Sequence, residues 1–361
     1  MADTLYFSRD TQVFIKIGSA IWSIPVLDGF SFSQATNASE ITLNEMADTS
    51  GNSRRGRQMF TDSYAPAEWS FSTYMLPYAS AGSGSGAADS SAKHHAVEEV
   101  LWALMVGNAT YSSNTFPGFT ADTTDLDITF TNSNKTSLGT ADFFFVMGGA
   151  GSGTKTTYKI TGCVVNEASI DFDIDGIATI NWSGFGKIIT EDTAPTATVF
   201  EATSSTENFI RNRLTSLTIS STSPTSTTYD LVLTGGNVTI ANNITFLTPE
   251  TLGVVNQPLG HVTGTRSVSG NFTCYLNAEA NSSADLFENI IEGTTTITND
   301  FDLLFKVGGT ATPRVELAMT DCHLEVPAHS IDDVISLETN FHALPSTISG
   351  TDELTIKYVG A

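Results

Sequence analysis

The chain has 361 residues, 40% hydrophobic and 15% charged, with 39 acidic against 16 basic side chains and a net charge of -23. That length exceeds one ordinary domain and suggests two, while the acid excess excludes a protein that grips nucleic acid through phosphate contacts. Three scattered cysteines, Cys163, Cys274 and Cys322, exclude a disulfide framework or a cysteine zinc site and place synthesis in a reducing cytosol.

In chain order, FSRDTQVFIKI and then VLDGFSFSQATN read as strands, with no basic-then-apolar leader before them. A polar loop from Ala47 to Pro66 gathers Arg54, Arg55 and Arg57 in an otherwise acidic protein. FSTYM is a strand, and PYASAGSGSGAADSSAK is loop-like. A helix capped near Ser90 or Ser91 carries Val100, Leu101, Leu104 and Met105 on one face. Its apolar run VLWALMV is far too short to span a bilayer. His94 and His95 beside Glu98 and Glu99 lack the second histidine of a zinc-hydrolase helix and read as a solvated helix start. Gly107 to Ala141 again reads as loop.

FVMGGAGSGTKTTYKI resembles a phosphate-binding loop, but Thr154 separates Gly153 from Lys155 and the following residues alternate as a strand. It therefore reads as a turn between two strands. DFDIDG opens like a calcium loop, yet its twelfth position is Trp182 rather than a glutamate. Alternation explains it better: Ile170, Phe172 and Ile174 face one side, Asp171 and Asp173 the other, and Asp175-Gly176 turns the chain into IATINW. No catalytic constellation, metal site or cofactor site emerges, so the chain reads as a non-enzyme.

The chain also repeats itself. FSRDTQVFIKI matches FIRNRLTSLTI at a separation of 202, and VLDGFSFSQATN matches VLTGGNVTIANN at 206. FSTYM matches FTCYL at 201, and the helical stripe recurs as Leu286, Phe287, Ile290 and Ile291 at 186. VMGG pairs with KVGG at 160, Cys163 with Cys322 at 159, and DGIATI with DDVISL at 157. Ordered matches with this drift predict a tandem duplication: copy one over 1–190 with inserted loops near 77–93 and 107–141, a linker over 191–207, and copy two over 208–361. KVGGTATPRVEL carries no lysine after its glycines, which supports the turn reading of its counterpart. Each copy reads as six to eight strands and one helix, the second starting near Ser282 or Ser283.

With that unit in view, VFIKIG…IPVLDGFSFSQATNASEITLNEM, the long loop after it, the single helix and the closing ASIDFDIDGIATINWSGFG resemble the tail tube (major tail) proteins of long-tailed bacteriophages. The resemblance implies a mainly β fold: two tandem tail-tube-like β-sandwich, barrel-forming domains, each with one flanking α-helix. It implies a structural subunit that self-assembles into stacked rings, with three two-domain copies per pseudo-sixfold ring as in tails of the T5 type. Implied partners are the chain itself, a tape-measure protein, tail terminator and distal tail proteins, and double-stranded DNA passing without specific binding. No membrane is implied; the place is the virion tail, assembled in the host cytoplasm.

On this reading Arg54, Arg55 and Arg57 contact an adjacent subunit or ring. Asp171, Asp173, Thr179, Asn181, Ser336, Glu338 and Asn340 face a lumen whose wall repels phosphate. The competing readings are another virion or surface β-protein, such as a fibre, adhesin or minor tail component that binds a glycan or receptor, and an enzyme on a β-sandwich.

Overall fold

The computed structural model describes residues 6–42, 49–52, 56–80, 93–130, 138–148, 155–199, 208–221, 226–292, 301–331 and 333–360. In chain order these form β1 (Thr11–Ile17), β2 (Ala20–Ile24), β3 (Ser31–Thr42), β4 (Arg57–Tyr74), β5 (Pro77–Ser80) and β6 (Lys93–Ala96). Then come α1 (Glu99–Val106), β7 (Phe119–Ala121), β8 (Asp125–Thr129), β9 (Ala141–Met147), β10 (Thr156–Phe172), β11 (Thr179–Gly186) and β12 (Ile189–Glu191). The second half holds β13 (Ser216–Ser221), β14 (Thr227–Leu231), β15 (Leu233–Ala241), β16 (Thr245–Leu247), β17 (Gly260–Val262) and β18 (Ser267–Tyr275). It closes with α2 (Ser283–Glu292), β19 (Phe301–Val307), β20 (Arg314–Leu324), β21 (Ala328–Ile331), β22 (Ile335–Ala343) and β23 (Thr355–Val359).

The strands make two layers around one apolar core. One layer is a continuous antiparallel sheet of eight strands in the order β3-β4-β11-β10-β15-β18-β22-β20, with β21 prolonging the edge beside β22. Against it lie β2-β1-β9-β10-β12 from the first half. From the second half comes β14-β13-β19-β20-β23, continued by β8 and β7. The long strands β10 and β20 serve both layers. Register breaks after Ile160 and Val165 let β10 pass from β9 to β11, as such irregularities do where a strand turns a corner. Alternation decides what is buried: Ala168, Ile170 and Phe172 of β10, Ile180 and Trp182 of β11, and Leu337 and Phe341 of β22 point inward. Phe172 stacks on Phe305 with centroids 5.0 Å apart, so the core runs without a break from one half into the other.

The pairings align the halves at the separations seen in the sequence. Ser70 opposes Ser183 in β4 and β11, and Asn271 opposes Asn340 in β18 and β22. Ser31 opposes Ser70 as Asn237 opposes Asn271.

Several expectations need correction. Each half carries more than six to eight strands: β1 to β12 and β13 to β23 among the described residues. The segments read as loops near 77–93 and 107–141 supply β5, β6, β7 and β8, strands of three to five residues set among Gly-, Ser- and Thr-rich stretches. Much of the loop from Ala47 to Pro66 is strand, because β4 begins at Arg57 and pairs with β3 as far as Thr42. α1 starts at Glu99 with no side-chain cap, and Ser90 and Ser91 lie outside the described residues. His94 and His95 are buried in β6, not solvated on a helix, because β6 lies in the inserted hairpin with Tyr78 opposite His95. Ile174 is exposed rather than facing the core, since β10 ends at Phe172. Ile291 is exposed on α2. Part of the presumed linker packs on the first half: Thr198 and Val199 donate backbone hydrogen bonds to the Ile21 carbonyl. The stretch that resembled a phosphate loop lies in sequence between β9 and its antiparallel partner β10, and its residues 149–154 lie outside the described set.

Candidate functional site

The outward face of the eight-strand sheet follows from alternation. Its polar side chains link across strands. The Ser72 hydroxyl donates to Asn181 Oδ1 at 2.6 Å, and Asn181 Nδ2 donates to Asp171 Oδ2 at 3.1 Å. Further along, Asn271 Nδ2 donates to Glu338 Oε1 at 3.2 Å, and Asn340 Nδ2 to Glu325 Oε2 at 2.8 Å. The bond from Asn340 holds the Glu325 carboxyl below its usual range. From the β4–β11 pairing across to β20, this face supplies the carboxylates Glu68, Glu167, Asp171 and Glu338 and the imidazoles His323 and His342 and, among these described paired positions, no lysine or arginine; Arg57 lies further out, on the β3–β4 arm. A wall of this kind repels phosphate and offers it no cationic anchor.

The expected site residues divide. Thr179, Asn181, Asp171, Ser336, Glu338 and Asn340 share this one face. Asp173 is exposed just past the end of β10, in the turn where Gly176 takes φ 104°. Arg57 is exposed, and its partner among the described residues is Glu40 of the same two-stranded arm, at 3.5 Å. Arg54 and Arg55 lie outside the described residues.

The sheet's two lateral edges differ in their surroundings from its middle. At the centre, β10 pairs with β15, with Ile170 opposite Val238 and Asp171 opposite Asn237, joining the halves by backbone hydrogen bonds. β3 forms one outer edge and β21 the other, each bonded on one side only. Long unpaired edges are aggregation templates unless another chain covers them.

The chain matches the family described as phage tail tube protein over residues 27–343. It belongs to that family. It is similar to the tail tube protein pb6 of Escherichia phage T5, 31% identical over 367 aligned positions that cover 97% of this chain and 75% of the relative. The chain is thus a structural tail tube subunit, a component of the virion tail. No helix among the described residues is long and apolar enough to cross a membrane.

One cluster gave no sequence signal. Trp102 Nε1 of α1 donates to the Tyr358 hydroxyl of β23 at 2.7 Å, and that hydroxyl donates to Glu98 Oε1 at 2.5 Å. Burial pushes the Glu98 carboxyl up to about 8. Residues 256 or more positions apart cannot be paired by local pattern. The three cysteines are buried, as expected of core residues, and burial pushes Cys274 up to about 11 and Cys322 to about 12. They are poor nucleophiles at neutral pH.

Proposed function

We propose that three copies of this tail tube protein close a ring in which their eight-strand sheets form one continuous barrel, and that stacked rings conduct DNA to the host. The observation that carries this reading is the β10–β15 seam, where the last inner strand of the first half pairs with the first inner strand of the second. Copy one over 1–190, a linker over 191–207 and copy two over 208–361 are then equivalent tube domains. The same pairing between the β20–β21 edge of one copy and β3 of the next satisfies every free edge.

The equivalence fixes a register. Ile170 and Ile180 oppose one another as His329 and Leu337 do, and Val238 corresponds to Phe32. Hence Ser330 should oppose Ser31 of the neighbouring copy, and His329 should oppose Phe32. Paired Cα atoms in a sheet lie about 4.5–5.5 Å apart, within disulfide range. A chain carrying Ser31→Cys and Ser330→Cys should, on mild oxidation of assembled tubes, give covalent species that stop at the trimer. The native thiols are buried and stay silent. A ladder ending at another number, or no cross-link in intact tubes, would overturn this ring.

The polar sheet face then lines the lumen, with Asp171, Asp173, Thr179, Asn181, Ser336, Glu338 and Asn340 exposed to passing DNA. Asp171→Lys with Asp173→Lys should leave assembly intact and slow DNA ejection, more at low salt than at high. Unchanged ejection would remove the lumenal assignment. Arg54, Arg55 and Arg57 supply an ionic contact at the arm tip to acidic groups of an adjacent subunit. Tape-measure, terminator and distal tail proteins are the remaining partners, met during assembly in the host cytoplasm.

A further inference from the structure

The polar face of the eight-strand sheet is acidic over most of its width, but towards one flank it holds two imidazoles side by side. His323 of β20 and His342 of β22 are direct partners in the pairing of those strands. Both are exposed, the His342 side chain by 52%. Alternation places them on the face that carries Glu338 and Asn340, because Cys322, Leu324, Phe341 and Ala343 point into the core. The chain's other histidines are engaged elsewhere: His94 and His95 are buried, His261 Nε2 accepts from Leu138 N at 3.0 Å, and the His329 ring packs edge-on against Phe287 at 4.9 Å. In the first half the equivalent pair is Val164 opposite Phe185, at the offsets of 159 and 157 found in the sequence matches. The imidazole pair therefore occurs once per chain.

The groups around the pair are mostly acidic. Glu325 of β20 lies 3.7 Å from His342 Nε2 and accepts from Asn340 Nδ2 at 2.8 Å. That bond first, and the two nearby imidazoles after it, hold the Glu325 carboxyl below its usual range. Asp321 lies two residues before His323 on β20, and Ser269 of β18 opposes His342. Arg266, which lines a cavity together with His342, is bound to Glu353 at 2.7 Å.

An imidazole is the side chain whose ordinary titration falls between pH 5 and 8, a range through which ordinary carboxylates stay charged. With both rings neutral, the trio of His323, His342 and Glu325 carries one negative charge. With both rings protonated it carries one positive charge, so the sign of this patch reverses while the rest of the face stays acidic. We propose that His323 and His342 form a proton-dependent contact for the phosphate backbone of passing DNA, one per chain, so that the wall repels the duplex at neutral pH and holds it in acid. This rests on the lumenal reading of the sheet face, and it names the residues and the condition under which that wall stops repelling phosphate.

The test uses tubes assembled from the full chain and a short fluorescent DNA duplex, with retention read by co-sedimentation. Tubes should retain about tenfold more duplex at about pH 5.5 than at about pH 7.5, and added salt should release it. His323→Gln with His342→Gln should remove most of that gain, and any rise that is left reports the carboxylates alone. His323→Lys with His342→Lys should retain duplex at both pH values. Unfolding midpoints at neutral pH should match the parent in both variants, because both side chains are exposed. A duplex capped at each end with streptavidin is too wide to enter the channel and should not be retained. No acid-dependent retention by the parent, equal pH profiles for the parent and the glutamine pair, or a lysine pair that releases duplex at about pH 7.5 would each overturn the proposal. Retention of the capped duplex would put the imidazoles on the outside of the tube and remove the lumenal reading with them. If the unsubstituted chain forms no tubes, the tube reading itself fails and this contact falls with it.

Discussion

The two helices, one in each half of the chain, are solvated differently. Every residue of α1, from Glu99 to Val106, is buried, whereas α2 buries Ser283, Leu286, Asn289 and Ile290 and turns Asp285, Glu288 and Ile291 to water. Their sequences follow: EVLWALMV is apolar nearly all round, and SADLFENIIE carries one stripe. What covers α1 is the material that the first half carries and the second lacks, the β5–β6 hairpin and the β7–β8 hairpin, with β23 laid between β8 and β20. Trp102 packs edge-on against Trp182 of the inner sheet at 4.8 Å and bonds outward to Tyr358. α2 is tied instead through Asn289 Nδ2, which donates to the Tyr229 hydroxyl at 2.8 Å, and through the Ser283 hydroxyl, which donates to the Tyr275 carbonyl at 2.8 Å. Insertions that look like surface decoration can thus form a third layer and convert a surface helix into core.

Trp102→Ala is the strongest way to break that contrast. It removes a fully buried ring and the hydrogen bond that the Tyr358 hydroxyl accepts, leaving that hydroxyl its bond to Glu98, and it should cost about 3–5 kcal/mol in denaturant unfolding. Leu286→Ala on α2, where the neighbours can relax towards solvent, should cost about 2–3 kcal/mol. Equal losses at the two sites would show that the cover over α1 adds nothing.

Glu98→Gln sharpens the contrast by pH. The Glu98 carboxyl titrates at about 8 in the fold, against 4.5 in the unfolded chain, because burial disfavours its charge. For a raised carboxyl, the stability it confers is complete below pH 4.5 and declines as pH rises towards 8, at roughly 1 kcal/mol per pH unit. Substitution by glutamine removes this dependence. The stability of the variant relative to the parent should therefore improve between pH 5 and 8, read from unfolding midpoints in buffers across that range. Parallel profiles would mean that Glu98 is not the group that titrates.

Much of the inner sheet was legible because it alternates strictly. Outside its turn, where Ile174 is exposed, the Asp171 to Trp182 hairpin assigns its own faces, and Cys163 and Cys322 are buried as core residues. Ser70 opposes Ser183 as Asn271 opposes Asn340, so the two pairings follow the same offsets of 201 and 157 as the sequence matches. The outer cover was not legible. β7 spans only three residues, and β8, although DLDIT alternates, finds its second partner in the distant β23. His94, His95, Glu98 and Glu99 look like a wet helix start because nothing local announces the hairpin that buries them. Of the arginine cluster, composition gave the location, but the Glu40 partner of Arg57 depends on how far the β3–β4 ribbon extends.

The pairing of β8 with β23 sets an order of events during synthesis. Thr129 meets Thr355 and Asp125 meets Val359, so the strand that flanks α1 must wait for a partner that the ribosome delivers roughly 230 residues later. At about 5–20 residues per second that interval is tens of seconds. Throughout it the nascent first half presents an uncovered apolar helix and an unpaired strand edge, the two features that chaperones recognise and that neighbouring nascent chains on one polysome can wrongly share. The chain therefore carries its greatest aggregation hazard before it is finished, and the same closing strand that completes the fold also ends that exposure.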